Sequence, residues 1–255
     1  MNKLNLISLF FLIFQLRNVL ILNEFYYIKS ENMGKIFVGL LVALLVVSVF
    51  ASTVLAKPKE PLDSITFIHY KDGKIKPIDQ NGKTVPCYKL MGVKWKSFSI
   101  SYVIGTNVDS TAISTSTKEW DDHTSTALFG SYRTDSSANF DSSPDGRNEY
   151  SYGNYPTSGV IAVTRTWYTR RSKEIVEYDV MFDSDFSWGD ASKNTSVMDW
   201  QSIATHETGH GLGLADVYQS ACSAVTMYGY GSEGETFARS LEQPDITGLQ
   251  QLYGA

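Results

Sequence analysis

The first 56 residues contain two dense apolar runs, Leu4 to Leu22 and Ile36 to Phe50. The second run carries no charge and is followed by small residues up to Ala56, which is typical of a secretory signal cut after Ala56. A retained membrane anchor is the alternative, although a spanning helix needs roughly 20 apolar residues. Polar residues interrupt the first run, and Met33 could itself initiate a complete signal. We therefore interpret the residues before Met33 as a misplaced start or a first membrane helix.

Residues 57–90 are polar and rich in turn residues, which indicates an N-terminal extension or a short prosegment. A regular pattern begins after Trp95. Apolar and polar residues alternate from Phe98 to Ile104, which predicts a half-buried strand. The remaining length suits one domain, for which we predict the bounds 91–255.

The middle of this domain combines one helix with two strands. Asp109 can cap a helix that runs to His123, although its many Ser and Thr residues have low helix propensity. Residues 134–158 are rich in Ser, Asp, Asn, Gly and Tyr without periodicity, which indicates a long loop. The strand-like runs Val160–Tyr168 and Glu174–Phe182 flank a charged turn, so a β-hairpin is predicted.

The last part of the chain is predicted to be helical. Asp199 can cap a helix that ends in a glycine-rich stretch around Gly211. A final helix is expected to begin near Pro244 and to stop at Gly254.

Charge and cysteine content narrow the class of protein. The 255 residues include 22 Lys and Arg against 27 Asp and Glu, a formal net charge of −5, which argues against nucleic-acid binding. A hydrophobic content of 43% supports a sizeable core and excludes wholesale disorder. An exported chain meets an oxidising environment, so we expect a disulfide between Cys87 and Cys222.

The candidate chemistry lies in the run His206-Glu207-Thr208-Gly209-His210. Two histidines four residues apart lie on the same face of a helix, where both can bind one zinc ion. Glu207 would then lie beside the metal, where it can take a proton from a zinc-bound water and deliver it to a leaving amine. This spacing suits hydrolysis.

The motif continues beyond His210. Gly213 allows a sharp turn with positive φ, and Asp216 can then supply a carboxylate oxygen as a third ligand. Three protein ligands leave one zinc position open, as a catalytic site requires. A solvated loop acid or a hydrogen-bonding group at the helix end is the alternative role for Asp216.

The pattern from His206 to Asp216 resembles the extended zinc signature of the metzincin metalloproteases. The third ligand of that family is usually histidine, and an aspartate there resembles the small snapalysin-like secreted proteases. The run Thr226-Met227-Tyr228 is similar to the Met-turn beneath the metzincin zinc.

Further segments resemble the matrixin branch of the metzincins and occur in matrixin order from Trp95 to Gly254. They are Gly159-Val160-Ile161-Ala162, Glu177-Tyr178-Asp179-Val180, and the tail from Leu241 to Gly254. The chain is thus identified as a matrixin-like metzincin with an aspartate ligand.

The resemblance implies an α+β zincin fold, with a twisted, mostly parallel sheet, an active-site helix, a Met-turn and a C-terminal helix. Substrate would bind as an added strand along an edge strand, which we assign to residues 159–163 and thus to Gly159, Ile161 and Ala162. An ordinary buried strand is the alternative. Met227 would support the metal site by packing, because a thioether is a poor zinc ligand.

Several family features are expected to differ. The only other histidines are His69 and His123, so a second, structural zinc is not expected. Calcium could bind within residues 134–158 or near Asp183 and Asp185, solvated acids being the alternative. Cys87 lacks the family's Arg-Cys-Gly context, so a disulfide is favoured over a cysteine that keeps the zinc latent.

The leading hypothesis is a secreted, monomeric zinc endopeptidase that uses Glu207 as general base and acts on peptide or protein substrates. It would contact a membrane only if the signal region is retained as an anchor. A non-catalytic, zinc-stabilised binding module at the cell surface is the second hypothesis, against which the presence of Glu207 argues. A hydrolase of non-peptide amides is a third.

Overall fold

The computed structural model describes residues 60–71 and 86–255. The predicted signal region, residues 1–56, and the first residues of the predicted extension lie outside the described residues. Within the described ranges, no helix has both the length and the apolar character required to cross a membrane.

The described residues form eleven strands and three α-helices, together with two 3₁₀ turns at Ser220–Cys222 and Phe237–Arg239. The strands are β1 (Leu62–Lys71), β2 (Lys89–Leu90), β3 (Ile100–Ile104), β4 (Phe129–Thr134), β5 (Asn148–Gly153), β6 (Val160–Thr169), β7 (Ile175–Asp183), β8 (Trp188–Gly189), β9 (Met198–Asp199), β10 (Leu214–Ala215) and β11 (Tyr230–Gly231). The helices are α1 (Ser110–Asp121), α2 (Trp200–Gly211) and α3 (Gln243–Tyr253).

Seven strands form one sheet in the order β11-β1-β6-β7-β5-β3-β4. The pairings β1–β6 and β6–β7 are antiparallel, and the other four are parallel. The predicted α+β fold with a mostly parallel sheet is therefore confirmed. The predicted hairpin is β6–β7.

Helix α2 packs against β6 and β7, and α1 packs against α2. Trp120 of α1 is fully buried, and its indole N–H donates to the carbonyl oxygen of Thr205 in α2 at 2.9 Å. The predicted cap of α1 is present, because Asp109 accepts hydrogen bonds from the amides of Thr111 and Ala112. Packing through Trp120 holds this Ser- and Thr-rich helix in place.

The prediction of one long loop over residues 134–158 was wrong, because β5 lies inside this range, in the middle of the sheet. Asn148 begins this strand, and its side chain donates to the carbonyl oxygen of Ser101 and accepts from the amide of Tyr178. The polar side chain of Asn148 is therefore satisfied by neighbouring strands, which periodicity along the chain does not reveal.

Strand β6 was predicted to be an edge strand, and this differs from the structure. Strand β1 pairs with β6 from Leu62 opposite Thr169 to Tyr70 opposite Val160, so β6 is an interior strand of the described sheet. The physical reason is that β1 occupies the backbone donors and acceptors that an edge would leave open.

A disulfide joins Cys87 to Cys222, with a Cα–Cα distance of 5.3 Å. Nearby, β2 pairs with β10, which directly follows the turn at Gly213. Residues 86–90 are thus attached to the domain close to the end of α2.

Candidate metal centre and active site

Helix α2 begins at a buried carboxylate. Asp199 accepts a hydrogen bond from the amide of Ser202 at 2.9 Å, which caps the helix, and also one from Arg239 Nε at 2.9 Å. Burial by itself raises the pKa of Asp199, but the hydrogen bonds from Arg239 and from backbone amides lower it, so the cap stays ionised.

Close packing surrounds the middle of α2. A Cβ added to Gly209 would lie 2.3 Å from Met227 Sδ and 2.8 Å from the Trp120 ring. Met227 is fully buried, so it packs directly under the helix that carries the two histidines. Support of a bound metal ion by Met227 stays a prediction.

The two histidine rings of α2 are oriented by backbone carbonyl groups. His206 Nδ1 donates to the carbonyl oxygen of Thr226 at 2.8 Å, and His210 Nδ1 donates to that of Leu214 at 2.9 Å. A carbonyl oxygen only accepts, so each Nδ1 carries a proton, and in the neutral ring Nε2 keeps the lone pair that can bind a metal ion. The two Nε2 atoms lie 3.2 Å apart.

Asp216 brings a carboxylate to the same point. Its Oδ1 lies 3.2 Å from His206 Nε2 and 3.3 Å from His210 Nε2, and the side chain is almost completely buried. Its other oxygen, Oδ2, accepts a hydrogen bond from the Tyr218 hydroxyl at 2.8 Å. Tyr218 therefore holds the carboxylate with Oδ1 directed at the histidines.

These three atoms are a donor set for a cation. Two imidazole lone pairs and a carboxylate oxygen meet in a buried space, an arrangement that is repulsive unless positive charge lies between them. Burial by itself lowers the pKa of His206, but its bond to Asp216 and the charges of Glu207 and Asp216 raise it to about 9, so either a proton or a metal ion supplies this positive charge. The mixture of nitrogen and oxygen ligands fits zinc.

Glu207 lies beside this cluster and is fully buried. Its Oε1 is 3.2 Å from His69 Nδ1, and its Oε2 accepts a hydrogen bond from the Thr164 hydroxyl of β6. Burial by itself raises the pKa of Glu207, but the His69 hydrogen bond and the charges of the surrounding histidines lower it. The carboxylate is thus held ionised next to the three candidate metal ligands.

The Met-turn is held by α3. Asp245, in the first turn of that helix, is fully buried and accepts hydrogen bonds from the amides of Thr226 and Met227 at 2.9 and 3.1 Å. Because the carbonyl of Thr226 orients His206, Asp245 acts on the site through the backbone. Sequence reasoning missed this residue, whose only signal was its place after Pro244 at a helix start.

Sequence reasoning also missed two residues of β1 at the centre. His69 is 3% exposed and contacts Glu207, and its ring centroid is 4.0 Å from that of His206. The Phe67 ring stacks on the His210 ring at 4.0 Å, with the two planes 6° apart. The only available signal was the short stretch Ile65-Thr66-Phe67-Ile68, which alternates weakly between apolar and polar residues within an otherwise polar segment.

The turn at Gly213 directs the chain from His210 to Asp216. Gly213 has φ +99°, and an added Cβ would lie 2.4 Å from the carbonyl oxygen of Val93. We expect Gly213→Ala to lower the free energy of unfolding by about 3 kcal/mol, because it adds a clash to a strained backbone. Urea denaturation of the chain measures this.

Gly146→Ala is the matched control, because Gly146 has φ +90° and open space around its Cβ position. It should cost only about 1 kcal/mol, the conformational part alone. Equal losses for the two variants would contradict the clash at Gly213.

A second acidic cluster lies away from this centre. Asp141, Glu149 and Asp179 each offer one carboxylate oxygen within 4.8 Å of the others, and Glu149 and Asp179 are buried. Asp179 Oδ1 has no hydrogen-bond donor within the described part of the chain. Arg147 Nη2 lies 2.8 Å from Glu149 Oε1 and is a nearby positive charge. Glu149 and Asp179 are therefore shielded from solvent, whereas Asp141 is half-buried.

Comparison with known families decides the relationship of the chain. The sequence model of the matrixin family matches residues 94–254, which include the candidate metal-binding cluster, the Met-turn and α3. The chain belongs to the matrixin family.

Individual matrixins align with a shorter part of this chain. Rat matrilysin is 42% identical over 77 residues, 30% of this chain and 27% of its own length. Human neutrophil collagenase is 38% identical over 76 residues, 30% of this chain and 15% of its own length. Human matrix metalloproteinase-25 is 39% identical over 77 residues, and the alignment spans 13% of its length. This matrixin thus aligns with less than a third of each of these relatives.

Proposed function

We propose that this matrixin is a secreted zinc endopeptidase. The observation that carries the proposal is the buried Glu207 carboxylate beside a convergent cluster of two imidazoles and one carboxylate. The family relationship supports it, because matrixins are zinc-dependent metalloendopeptidases. Secretion rests on the pattern of residues 1–56 in the sequence.

His206, His210 and Asp216 would hold the zinc ion through Nε2, Nε2 and Oδ1. When bound there, zinc supplies a Lewis acid that polarises the scissile carbonyl and acidifies water. Thr226, Leu214 and Tyr218 keep these three ligands oriented through the hydrogen bonds described above, which is the usual function of a second layer of contacts.

Glu207 moves the protons in this scheme. Its lowered pKa keeps it ionised, so it can accept a proton from the attacking water and then donate it to the leaving amine. Thr164 fixes Oε2, which leaves Oε1 as the oxygen that exchanges the proton. In this chain that oxygen is in contact with His69.

Strands β6 and β11 would form the two sides of the peptide-binding cleft. A substrate strand between them could pair with the backbone of both, so main-chain bonds would give affinity with little sequence selection. Of the residues assigned to this role, Ile161 and Ala162 lie in β6 and Gly159 directly precedes it. Peptide or protein is therefore the proposed substrate class.

A binding module that uses zinc only for stability would need the three ligands but not Glu207. The full burial of this carboxylate beside them favours catalysis, because burying a carboxylate that has no role is costly. Hydrolysis of a non-peptide amide would use the same groups, and substrates alone can separate it from peptide cleavage.

Incubation of the zinc-loaded full chain with denatured casein tests the proposal, with mass spectrometry to read the cut sites. We expect cleavage within the casein chain that a zinc chelator abolishes and that added zinc restores. Because β1 covers the cleft, the variant Phe67→Ala/His69→Ala is assayed in parallel. Absence of cleavage by both chains, with one zinc bound, would contradict the peptidase.

We also propose that Asp141, Glu149 and Asp179 bind calcium, which prefers oxygen ligands. The support is the convergence of three carboxylates and the unpartnered Asp179 Oδ1. The alternative location, near Asp183, is less favourable, because Asp183 already accepts hydrogen bonds from the amides of Tyr155 and Asp185.

Stability without calcium should fall as pH rises. Burial and the neighbouring acids raise the pKa of Asp179 to about 8, and burial raises that of Glu149 to about 7. The ordinary values are about 4, so the folded chain binds more protons than the unfolded chain from about pH 4 to 8. Stability is then lost across this range, by a few kcal/mol, since one pKa unit corresponds to about 1.4 kcal/mol. Urea denaturation in EGTA at pH 5 and 8 measures the difference, and equal values would contradict it.

Calcium should reverse this loss, because it binds the ionised carboxylates. At pH 8, calcium at about 100 times its Kd contributes about 2.7 kcal/mol, which raises Tm by about 5–10 °C. Asp179→Asn should abolish the shift. Asp183→Asn, a buried acid on the same strand, is the matched control, and loss of the shift in this variant instead would place the ion near Asp183.

A further inference from the structure

Strand β1 fills the cleft in which the proposed function places the substrate. It pairs antiparallel with β6 over most of its length and parallel with β11, where Tyr70 is opposite Tyr230 and Lys71 is opposite Gly231. Both backbone edges of β1 therefore have a neighbouring strand at the end nearest the metal centre. A peptide added to the cleft would need these same positions.

The side chains of β1 that point to α2 cover the reactive groups. They alternate along the strand: Phe67 stacks on the His210 ring, and His69 contacts Glu207. Lys71 continues this face with a 2.6 Å ion pair to Glu233. His69 Nε2 is buried and has no hydrogen-bond partner within the described residues, so the ring fills space next to the metal ligands.

Strand β1 lies outside the part of the chain that resembles the family. The matrixin match begins at residue 94, whereas β1 ends at Lys71. The side chains of β1 are mostly half-buried or exposed, and His69 is its only buried residue. This strand therefore lies outside the matched domain and contributes little to the hydrophobic core.

Neither cysteine of the chain can act as the group that covers the metal centre. Cys87, the only cysteine between the signal region and the domain, is joined to Cys222. The disulfide attaches residues 86–90 to the domain independently of β1. Release of β1 would therefore leave this attachment in place.

We propose that residues Leu62–Lys71 are an intramolecular ligand of the peptide cleft, which Phe67 and His69 hold over the metal centre and Glu207. This inference rests on the proposed function, because it takes the cleft to be the substrate site. Substrate and β1 exclude each other, since both need β6 and β11. Only chains in which β1 is released can bind substrate. The apparent affinity of the cleft for substrate is therefore its intrinsic affinity multiplied by the fraction of such chains.

Binding of a fluorescent tripeptide hydroxamate to the zinc-loaded full chain tests the proposal, with fluorescence anisotropy as the readout. The hydroxamate binds zinc and its peptide needs the strand position of β1. We expect Phe67→Ala/His69→Ala to lower the Kd at least about tenfold, because the open fraction rises. Casein cleavage should rise by a similar factor.

The control is Thr66→Ala/Ile68→Ala, which truncates neighbouring residues of β1 that point to the other face of the strand. This variant should bind the probe within about twofold of the unmodified chain. Tenfold tighter binding by the control variant as well would overturn the roles of Phe67 and His69.

Hydrogen exchange gives a readout that needs neither catalysis nor a variant. In the unmodified chain, amides of β1 should be protected, and saturating probe should increase their exchange while α2 stays protected. Freely exchanging β1 amides in the folded, zinc-loaded chain would overturn this inference alone. Failure to bind zinc, with β1 protected, would overturn the proposed function instead. Protection of α2 also shows that the double variant is folded.

Discussion

Replacing Glu207 by glutamine is expected to lower kcat/KM for peptide cleavage by about 10³-fold or more, while zinc remains bound. The amide has nearly the same shape as the carboxylate but cannot accept the proton from water. The acceptor for the Thr164 hydroxyl is retained, so the side chain can stay in place. Initial rates on a quenched peptide, with zinc content measured in the same samples, give the result.

Glu207→Gln is introduced both into the unmodified chain and into the variant Phe67→Ala/His69→Ala. Both backgrounds are needed because β1 lies over Glu207 in the unmodified chain. Thr164→Val is the graded control: it keeps the carboxylate but removes the donor to Oε2, and should cost about tenfold. A glutamine variant that retains more than a tenth of the activity would exclude Glu207 as the general base.

Asp216→Ala should weaken zinc binding by more than about 100-fold, beyond the range for residues that only orient a ligand. The reason is geometric, because among the described residues Asp216 Oδ1 is the one anionic atom within 3.3 Å of both His Nε2 atoms. Competition with a coloured chelator of known affinity measures the zinc Kd. Peptidase activity at limiting zinc should fall with it.

Tyr218→Phe separates the binding of zinc by Asp216 from the orientation of the Asp216 carboxylate. It removes the 2.8 Å hydrogen bond to Asp216 Oδ2 and leaves Oδ1 unchanged, so a loss of about tenfold in zinc affinity is expected. If Asp216→Ala bound zinc as well as Tyr218→Phe does, the third protein ligand would have to be another residue.

Asp216→Ala and Tyr218→Phe both test the position at which this chain has an aspartate and metzincins usually have a third histidine ligand. A Cβ on Gly229 would lie 2.3 Å from the Tyr218 ring and 3.1 Å from Asp216 Cγ, so the aspartate is closely packed. A short carboxylate fits this space, and the tyrosine hydroxyl bonds its second oxygen. The sequence showed the aspartate, but only the fold showed its partner.

Local patterns in the sequence were sufficient for much of the fold. The caps Asp109 and Asp199, the hairpin β6–β7 and the helix after Pro244 all agree with the structure. Each depends on interactions within a few residues, where side-chain type and spacing decide the outcome. The spacing from His206 to Asp216 likewise indicated which residues could share one metal ion.

Tertiary structure decided the features that depend on distant pairing. Strand β5 is polar in sequence and becomes a central strand because β3 and β7 supply its hydrogen bonds. Asp245 reaches the Met-turn, and Thr164 reaches Glu207, across many residues of chain. Periodicity reports which face of an element is buried but not what lies against it.

The position of β1 is the clearest case. The sequence by itself determined a helix with candidate metal ligands, a candidate base and a polar extension ahead of the domain. Only the tertiary structure placed this extension between β6 and β11, with His69 138 residues from Glu207 in sequence and 3.2 Å from it in space. Strand pairing uses backbone groups that every residue carries, so the choice of partner strand is made by the assembled sheet.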